Sequence, residues 1–182
     1  MQSCSDHELL LRARRLDQAA LIEIYDRYSD CIYHYSLRRL GDPSLAEDCA
    51  ADTFSRLLSA FRGGGGPTDE LRAYLYRSAH NWIIDHYRRT PAQPLDAGYR
   101  ADHPDGDPGE AAEKNILRER VRRALRLLTP EQQQVITLRF IEGWELDEIA
   151  ATLEKPVGAI KALQHRGVAA LRTMLAEREG SV

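Results

Sequence analysis

A chain of 182 residues, 43% hydrophobic and 29% charged, is long enough for one large or two small globular domains, and its composition excludes disorder throughout. No apolar run approaches the ~18 residues a membrane span needs. Asp6, Glu8, Arg12, Arg14 and Arg15 interrupt the segment where a signal peptide would be apolar, so a cytoplasmic protein without membrane insertion is expected. The formal charge of −3 is unevenly spread: residues 1–90 carry 12 arginines against 13 acids, 91–114 carry 2 bases against 6 acids, and 115–182 carry 11 bases against 9 acids. Three cysteines, Cys4, Cys31 and Cys49, cannot all pair, which suits reduced thiols. Cys4 with His7, or Cys31 with His34, supplies half of a metal site and no second half follows, so neither metal nor cofactor is expected.

Residues 6–40 read as helix almost throughout, with one apolar stripe of Leu9, Leu10, Ala13 and Leu16. After Asp17 a second stripe runs through Leu21, Ile24, Tyr25, Tyr28, Ile32, Tyr35 and Leu40. Gly41 stops this helix, and Asp42 with Pro43 starts the next. From Ser44 to Phe61 the periodicity turns Leu45, Cys49, Phe54, Leu57, Leu58 and Phe61 inward and leaves Glu47, Asp48, Asp52, Thr53 and Arg56 outside. Gly63 to Gly66, closed by Pro67, is expected to be a mobile loop, because glycine is costly to order.

Helix is expected again from Thr68 to Arg89, burying Leu71, Leu75, Ala79, Trp82, Ile83 and His86. Its flank mixes Tyr74, Arg77, His80, Asn81, Asp85, Arg88 and Arg89. A surface that stacks bases and contacts phosphates and a plain solvated face fit that pattern equally. Residues 91–112 hold Pro91, Pro94, Pro104 and Pro108 with Asp96, Asp102, Asp105 and Asp107, the composition of a flexible acidic linker. About 22 residues extend at most ~75 Å, comparable with two turns of duplex DNA at ~34–36 Å each.

A helix from Glu113 to about Leu128 opens the second domain, and Thr129-Pro130-Glu131-Gln132 is a compact helix start. Val135, Ile136, Leu138, Arg139 and Phe140 carry that helix to Gly143. Leu146, Ile149, Ala150 and Leu153 then share one face of a short helix that Glu154, Lys155 and Pro156 interrupt. A longer helix restarts near Val157. Ile160, Leu163, Gly167, Leu171 and Met174 line one side of it, with Lys161, Ala162, His165, Arg166 and Arg172 on the other. Short helix, tight turn and longer helix with a basic outer face is the layout of a helix-turn-helix. Ala150 and Ala151 are expected to let the two helices cross closely, and Ala162 and Gly167 to leave a thin surface for base edges. Glu154 occupies a turn position that often takes glycine, at a cost of ~1 kcal/mol if its φ is positive. No segment reads as strand.

In this order the segments resemble the sigma-70 family, in its extracytoplasmic-function (ECF, group 4) form that keeps only regions 2 and 4. LIEIYDRYSDCIYHYSLRRLGDPSLAEDCAADTFSRLLSAF looks like regions 2.1 and 2.2, and LRAYLYRSAHNWIIDHYRR like regions 2.3 to 2.4. LTPEQQQVITLRFIEGWELDEIAATLEKPVGAIKALQHRGVAALRTML looks like region 4. The likeness covers about residues 6–90 and 113–176. It implies an all-α protein: a region 2 helical bundle over 1–90, the linker 91–112, and a region 4 helix-turn-helix domain over 113–182. It also implies a dissociable, non-enzymatic promoter-specificity subunit of bacterial RNA polymerase.

By that resemblance, Glu47, Asp48, Asp52, Thr53 and Arg56, with Phe54 beneath, dock on the clamp coiled coil of the largest subunit. Tyr74, Arg77, Asn81, Arg88 and Arg89 recognise and open the minus 10 element, Asp85 orienting an arginine. Val157, Gly158, Lys161, Gln164, His165 and Arg166 meet the minus 35 element, with Ala159 and Ala162 allowing approach and the helix start holding a phosphate. The flap of the second subunit, promoter DNA and an anti-sigma factor are the further implied partners. The GGGGPTDE loop is more glycine-rich than the family's usual pattern, and Leu163-Gln164 replaces a frequent Ser-Arg-Leu style. Two rivals stand beside this reading: a two-domain DNA-binding regulator that acts without polymerase, and an all-helical hydrolase using Glu47, Asp48 and Asp52 to hold a metal.

Overall fold

The computed structural model describes residues 6–89, 116, 119–121 and 123–176, and these divide between two compact units, Met1–Ala97 and Gly98–Val182. Among the described residues there are helices and turns and no strand. The expected linker, most of the helix expected from Glu113, and Cys4 lie outside them.

Among its described residues the first unit holds four helices, α1 Asp6–Ala13, α2 Gln18–Leu40, α3 Pro43–Arg62 and α4 Leu71–Arg89. α2 is the spine, packing on each of the other three. Its N-terminus is capped by Asp17, whose carboxylate accepts from the amides of Ala19 and Ala20 and pairs with Arg12 at 2.8 Å. The Arg12 hydrogen bond and those amides hold the Asp17 carboxyl below the usual carboxylate range. Gly41 ends α2 at φ 74°, and Asp42 caps α3 by accepting from the Leu45 amide at 2.9 Å, with Pro43 in the first turn.

The core of this unit is a lattice of helical spacings: Ile24, Tyr28, Ile32 and Tyr35 from α2, Ala46, Cys49, Leu57 and Phe61 from α3, Leu75, Tyr76, Ala79 and Ile83 from α4. Several expectations shift by one position. Leu16 is exposed and takes φ 61° in the turn after α1, so it ends the first stripe instead of extending it. Tyr25, one residue past Ile24 and therefore about 100° around the helix, is 53% exposed. Trp82 and His86 are half-buried and stacked on each other at 5.3 Å, while Tyr76, not foreseen, is buried edge-on against Tyr35 at 5.0 Å. α4 begins at Leu71, not Thr68, because Glu70 sits at φ 46° and turns the chain.

The second unit holds helical residues 119–121 and 123–126, α5 Pro130–Ile136 with a π-helical turn Thr137–Ile141, α6 Leu146–Leu153, and α7 Val157–Ala176. Thr129 Oγ1 accepts from the Gln132 amide, and Gln132 Oε1 accepts from the Thr129 amide, closing the capping box that the sequence announces. Leu125, Leu128 and Ile136 form a cluster against Val168, Ala170 and Leu171. The extra residue of the π turn rotates the helix, leaving Phe140 and Ile141 exposed where a regular helix to Gly143 was expected. Trp144 is buried behind that turn, and Arg139 Nη1 donates to its carbonyl at 2.7 Å and pairs with Glu145 at 2.8 Å.

Candidate nucleic-acid and polymerase interfaces

α6 and α7 form the helix-turn-helix. Glu148 accepts from the Glu145 amide at 2.7 Å to start α6, which buries Ile149, Ala150 and Thr152. Ala151, expected at the crossing, is exposed instead. Glu154 ends α6 in the left-handed region at φ 53°, ψ 41°, and Lys155 N–H bonds back to the Ala150 carbonyl. Glutamate thus takes the conformation glycine would take without strain.

Of α7, Ile160, Leu163 and Gly167 face inward. Gly167 is no part of the outer surface: a Cβ there would lie 3.0 Å from Ile136 Cγ1, so its smallness serves the packing of α7 on α5. Lys161, Ala162, His165 and Arg166 are exposed on the opposite side together with Gly158, and Val157, Ala159 and Gln164 are half-buried beside them. At rest Arg166 Nε donates to the Ala162 carbonyl of its own helix at 3.3 Å. A cationic, thin-walled helix face backed by a fixed core has the shape and charge to enter a major groove.

On α4, Asn81, Arg88 and Arg89 are exposed, and Tyr74 and Arg77 are half-buried. Asp85 lies 3.7 Å from Arg88. His80, on the same flank, is tied down: Arg39 Nη1 lies 2.8 Å from its Nδ1 and 2.8 Å from the Tyr35 hydroxyl. A guanidinium only donates, so Nδ1 is the acceptor and His80 carries its proton on Nε2. Arg39 itself is fully buried, and Tyr87 donates to its carbonyl at 2.8 Å, so the α4 flank is keyed to α2 at two points.

On α3, Glu47, Asp48 and Arg56 are exposed and Asp52 half-exposed, with Asp52 and Arg56 paired across one turn. Two expectations exchange places. Thr53 is fully buried, because Ala46, Cys49, Thr53, Leu57 and Phe61 are the spacing that faces the core; its Oγ1 donates to the Cys49 carbonyl at 2.8 Å, so burial strands no hydroxyl. Phe54 is not beneath the surface but on it, half-buried and edge-on to Tyr25 at 5.0 Å. Tyr25, which the periodicity put in the buried stripe, is exposed beside it. The signal for it was its offset from the Ile24, Tyr28, Ile32 spacing.

Ser36 Oγ donates to the buried Cys49 Sγ at 3.2 Å, and burial pushes the Cys49 thiol up to about 11. Cys31 is exposed.

Two family models match the chain: Sigma-70 region 2 over residues 24–91 and Sigma-70, region 4 over residues 124–173. The ECF RNA polymerase sigma factor BldN of Streptomyces coelicolor is 34% identical over 175 residues, which cover 92% of this chain and 65% of that protein. SigL of Mycobacterium tuberculosis, also described as an ECF RNA polymerase sigma factor, is 31% identical over 165 residues, 88% of this chain and 92% of its own. The solved structure of CnrH in complex with the cytosolic domain of CnrY superposes with a TM-score of 0.71 at 25% identity, covering 94% of this chain and 97% of that one.

Proposed function

Because the chain belongs to the ECF branch of the sigma-70 family, we propose that it binds bacterial core RNA polymerase and directs promoter recognition, promoter melting and transcription initiation. It contributes binding and positioning to that process, not a reaction of its own. The observation that carries the reading is the presence of both modules in one chain, one with a cationic recognition face on α7 and one with a polar flank on α4.

The division of labour we propose is supported by which of these side chains are exposed together. Lys161, Gln164, His165 and Arg166, with the amides of Val157 and Gly158 at the start of α7, read the minus 35 element. Tyr74, Arg77, Asn81, Arg88 and Arg89 hold the opened minus 10 strand, where stacking and charge offset the few kcal/mol of extruding a base. Glu47, Asp48, Asp52, Arg56 and Phe54, joined by Tyr25, dock on the clamp coiled coil of the largest subunit, and the second unit meets the flap of the second. Transcription places the protein in the cytoplasm, and no helix among the described residues is long and apolar enough to cross a membrane. The likeness to CnrH, solved in complex with the cytosolic domain of CnrY, supports a further protein partner, which we take to be an anti-sigma factor.

A net charge of −3 disfavours action without polymerase, since phosphate neutralisation supplies most of the affinity of a lone DNA binder. In vitro transcription with core enzyme on a pool of random promoters, sequencing the transcript starts, tests the reading. Discrete starts that require this chain are expected, together with weak duplex binding by the chain alone. Tight sequence-specific binding by the free protein, with no added starts, would favour the independent regulator.

A further inference from the structure

The loop between α3 and α4 is hydrogen-bonded along its backbone, as a bare spacer would not be. Arg14, in the turn after α1, places Nη1 at 3.1 Å from the Gly65 carbonyl, 3.1 Å from that of Gly66 and 2.9 Å from that of Pro67. A guanidinium nitrogen has only two N–H groups, so three successive carbonyls share them around one cation. Gly63, Gly64 and Gly65 meanwhile donate back to the carbonyls of Ser59, Phe61 and Ala60, wrapping the end of α3.

Glycine is required along this path for a stated reason. Gly64 and Gly66 take φ 76° and 84°, and a Cβ on Gly66 would lie 2.9 Å from Phe61 Cδ1. Glu70, at φ 46°, then turns the chain into α4 and accepts from the Tyr74 amide at 3.0 Å. The path therefore runs from a cation in the turn after α1, through the loop, to the first of the α4 residues assigned to the minus 10 strand. Arg14 lies before residue 24, where the region 2 match begins.

We propose that Arg14 is a positioning residue for promoter opening: by gathering the carbonyls of Gly65, Gly66 and Pro67 it fixes the loop that launches α4, and so places Tyr74, Arg77 and Asn81 on the non-template strand. The proposal rests on the sigma reading of the α4 flank. A glycine run loses more conformational freedom on ordering than any other sequence. Without the cation the loop populates many arrangements, and the apparent affinity for the opened strand falls with the fraction still competent.

The test uses full-length chain with core polymerase on a promoter recovered from the random pool, with 2-aminopurine in the non-template minus 10 strand. Open-complex formation, affinity for core and thermal stability are measured for wild type, R14A, G66A and the double variant. G66A keeps the cation and strains the loop where it passes Phe61, and the thermal stability of each variant shows how far that contact alone weakens the first unit. Expected is a roughly tenfold slower opening for each single variant, core affinity within about twofold of wild type, and a double variant no worse than the more impaired single one. Opening by R14A at the wild-type rate overturns the proposal. So does a defect in R14A with a normal G66A, which would make Arg14 a direct DNA contact, and so does an equal loss of core affinity, which would make its role structural. Failure of wild type itself to open DNA with core would sink the sigma reading as well, whereas the other outcomes leave that reading standing.

Discussion

The two units present polar surfaces by opposite means. In the second, the proposed recognition face is one side of one helix, α7, and its layout follows from helical spacing with Ile160, Leu163 and Gly167 fixing which side is inside. In the first, the proposed surfaces are assembled from α2, α3, α4 and the glycine loop, held by bonds between residues far apart in the chain: Arg39 to His80, Tyr87 to Arg39, Arg14 to the loop carbonyls. A surface written on one helix is robust to local change. A surface assembled from several segments fails when one cross-link is cut.

Arg39→Ala is the strongest way to break that comparison. The side chain is fully buried and its donors serve Tyr35 and His80. Its removal leaves a void in the core and takes a donor from the Tyr35 hydroxyl and His80 Nδ1, and should cost the first unit about 3–5 kcal/mol. Hydrogen exchange resolved along the full-length chain should show protection lost over residues 18–89 and retained over 130–176. Parallel loss in both would show that the units do not hold their structure separately.

Alkaline pH probes the same unit less severely. The Cys49 thiol titrates near 9.0 when unfolded and about 11 when buried in the fold, burial being the main cause. Its folded pKa is raised, so the stability tied to the neutral thiol is complete below pH ~9 and is lost as pH rises through about 11. Burial likewise raises the Tyr28 hydroxyl, which donates to Asp6, so its contribution is lost in the same direction at higher pH. Denaturant titrations at pH 8 and pH 10.5 should differ by on the order of 1–2 kcal/mol in the first unit. Cys49→Ala should flatten much of that slope; an unchanged slope would assign it to other groups.

How much was legible in the sequence follows the same divide. The Thr129–Gln132 capping box, Asp42-Pro43 and the outer face of α7 are short-range signals, set by residues within a turn of each other, and the structure shows each of them. The exchange of Thr53 and Phe54 was not legible. Hydrophobicity alone puts phenylalanine inside, whereas the neighbouring helices select the Cys49, Thr53, Leu57 spacing and the helix satisfies the threonine hydroxyl itself. The Arg14 latch left no trace either, because its partners are backbone carbonyls more than fifty residues away and have no side-chain identity.

Gly167→Ala sharpens the other half of the comparison. The added Cβ would meet Ile136 Cγ1 at 3.0 Å and Cδ1 at 3.3 Å, so the Ile136 side chain must give by a few tenths of an ångström. Crowding costs about 1–3 kcal/mol and alanine in a helix interior returns ~0.5–1 kcal/mol, so a net loss of about 1 kcal/mol in the second unit is expected, with binding to the proposed minus 35 element reduced only in proportion to folding. A specific loss of DNA binding in a fully folded variant would instead return Gly167 to the recognition surface.

The smallest effect should run in the opposite direction. Glu154 takes φ 53°, a region that costs a non-glycine residue ~1 kcal/mol, and glycine removes that strain while adding some freedom to the unfolded chain. Glu154→Gly should therefore stabilise the second unit by about 0.5 kcal/mol, measurable as a higher denaturation midpoint with unchanged dependence on denaturant. The turn would keep its path, because the Ala150 and Ala151 carbonyls that close it accept from the backbone amides of Lys155 and Glu154 and not from a side chain. A lower midpoint would mean that the contacts of the Glu154 carboxylate outweigh its backbone strain. The turn would then depend on tertiary contacts in the manner of the first unit, and the contrast between the two units would narrow at that point.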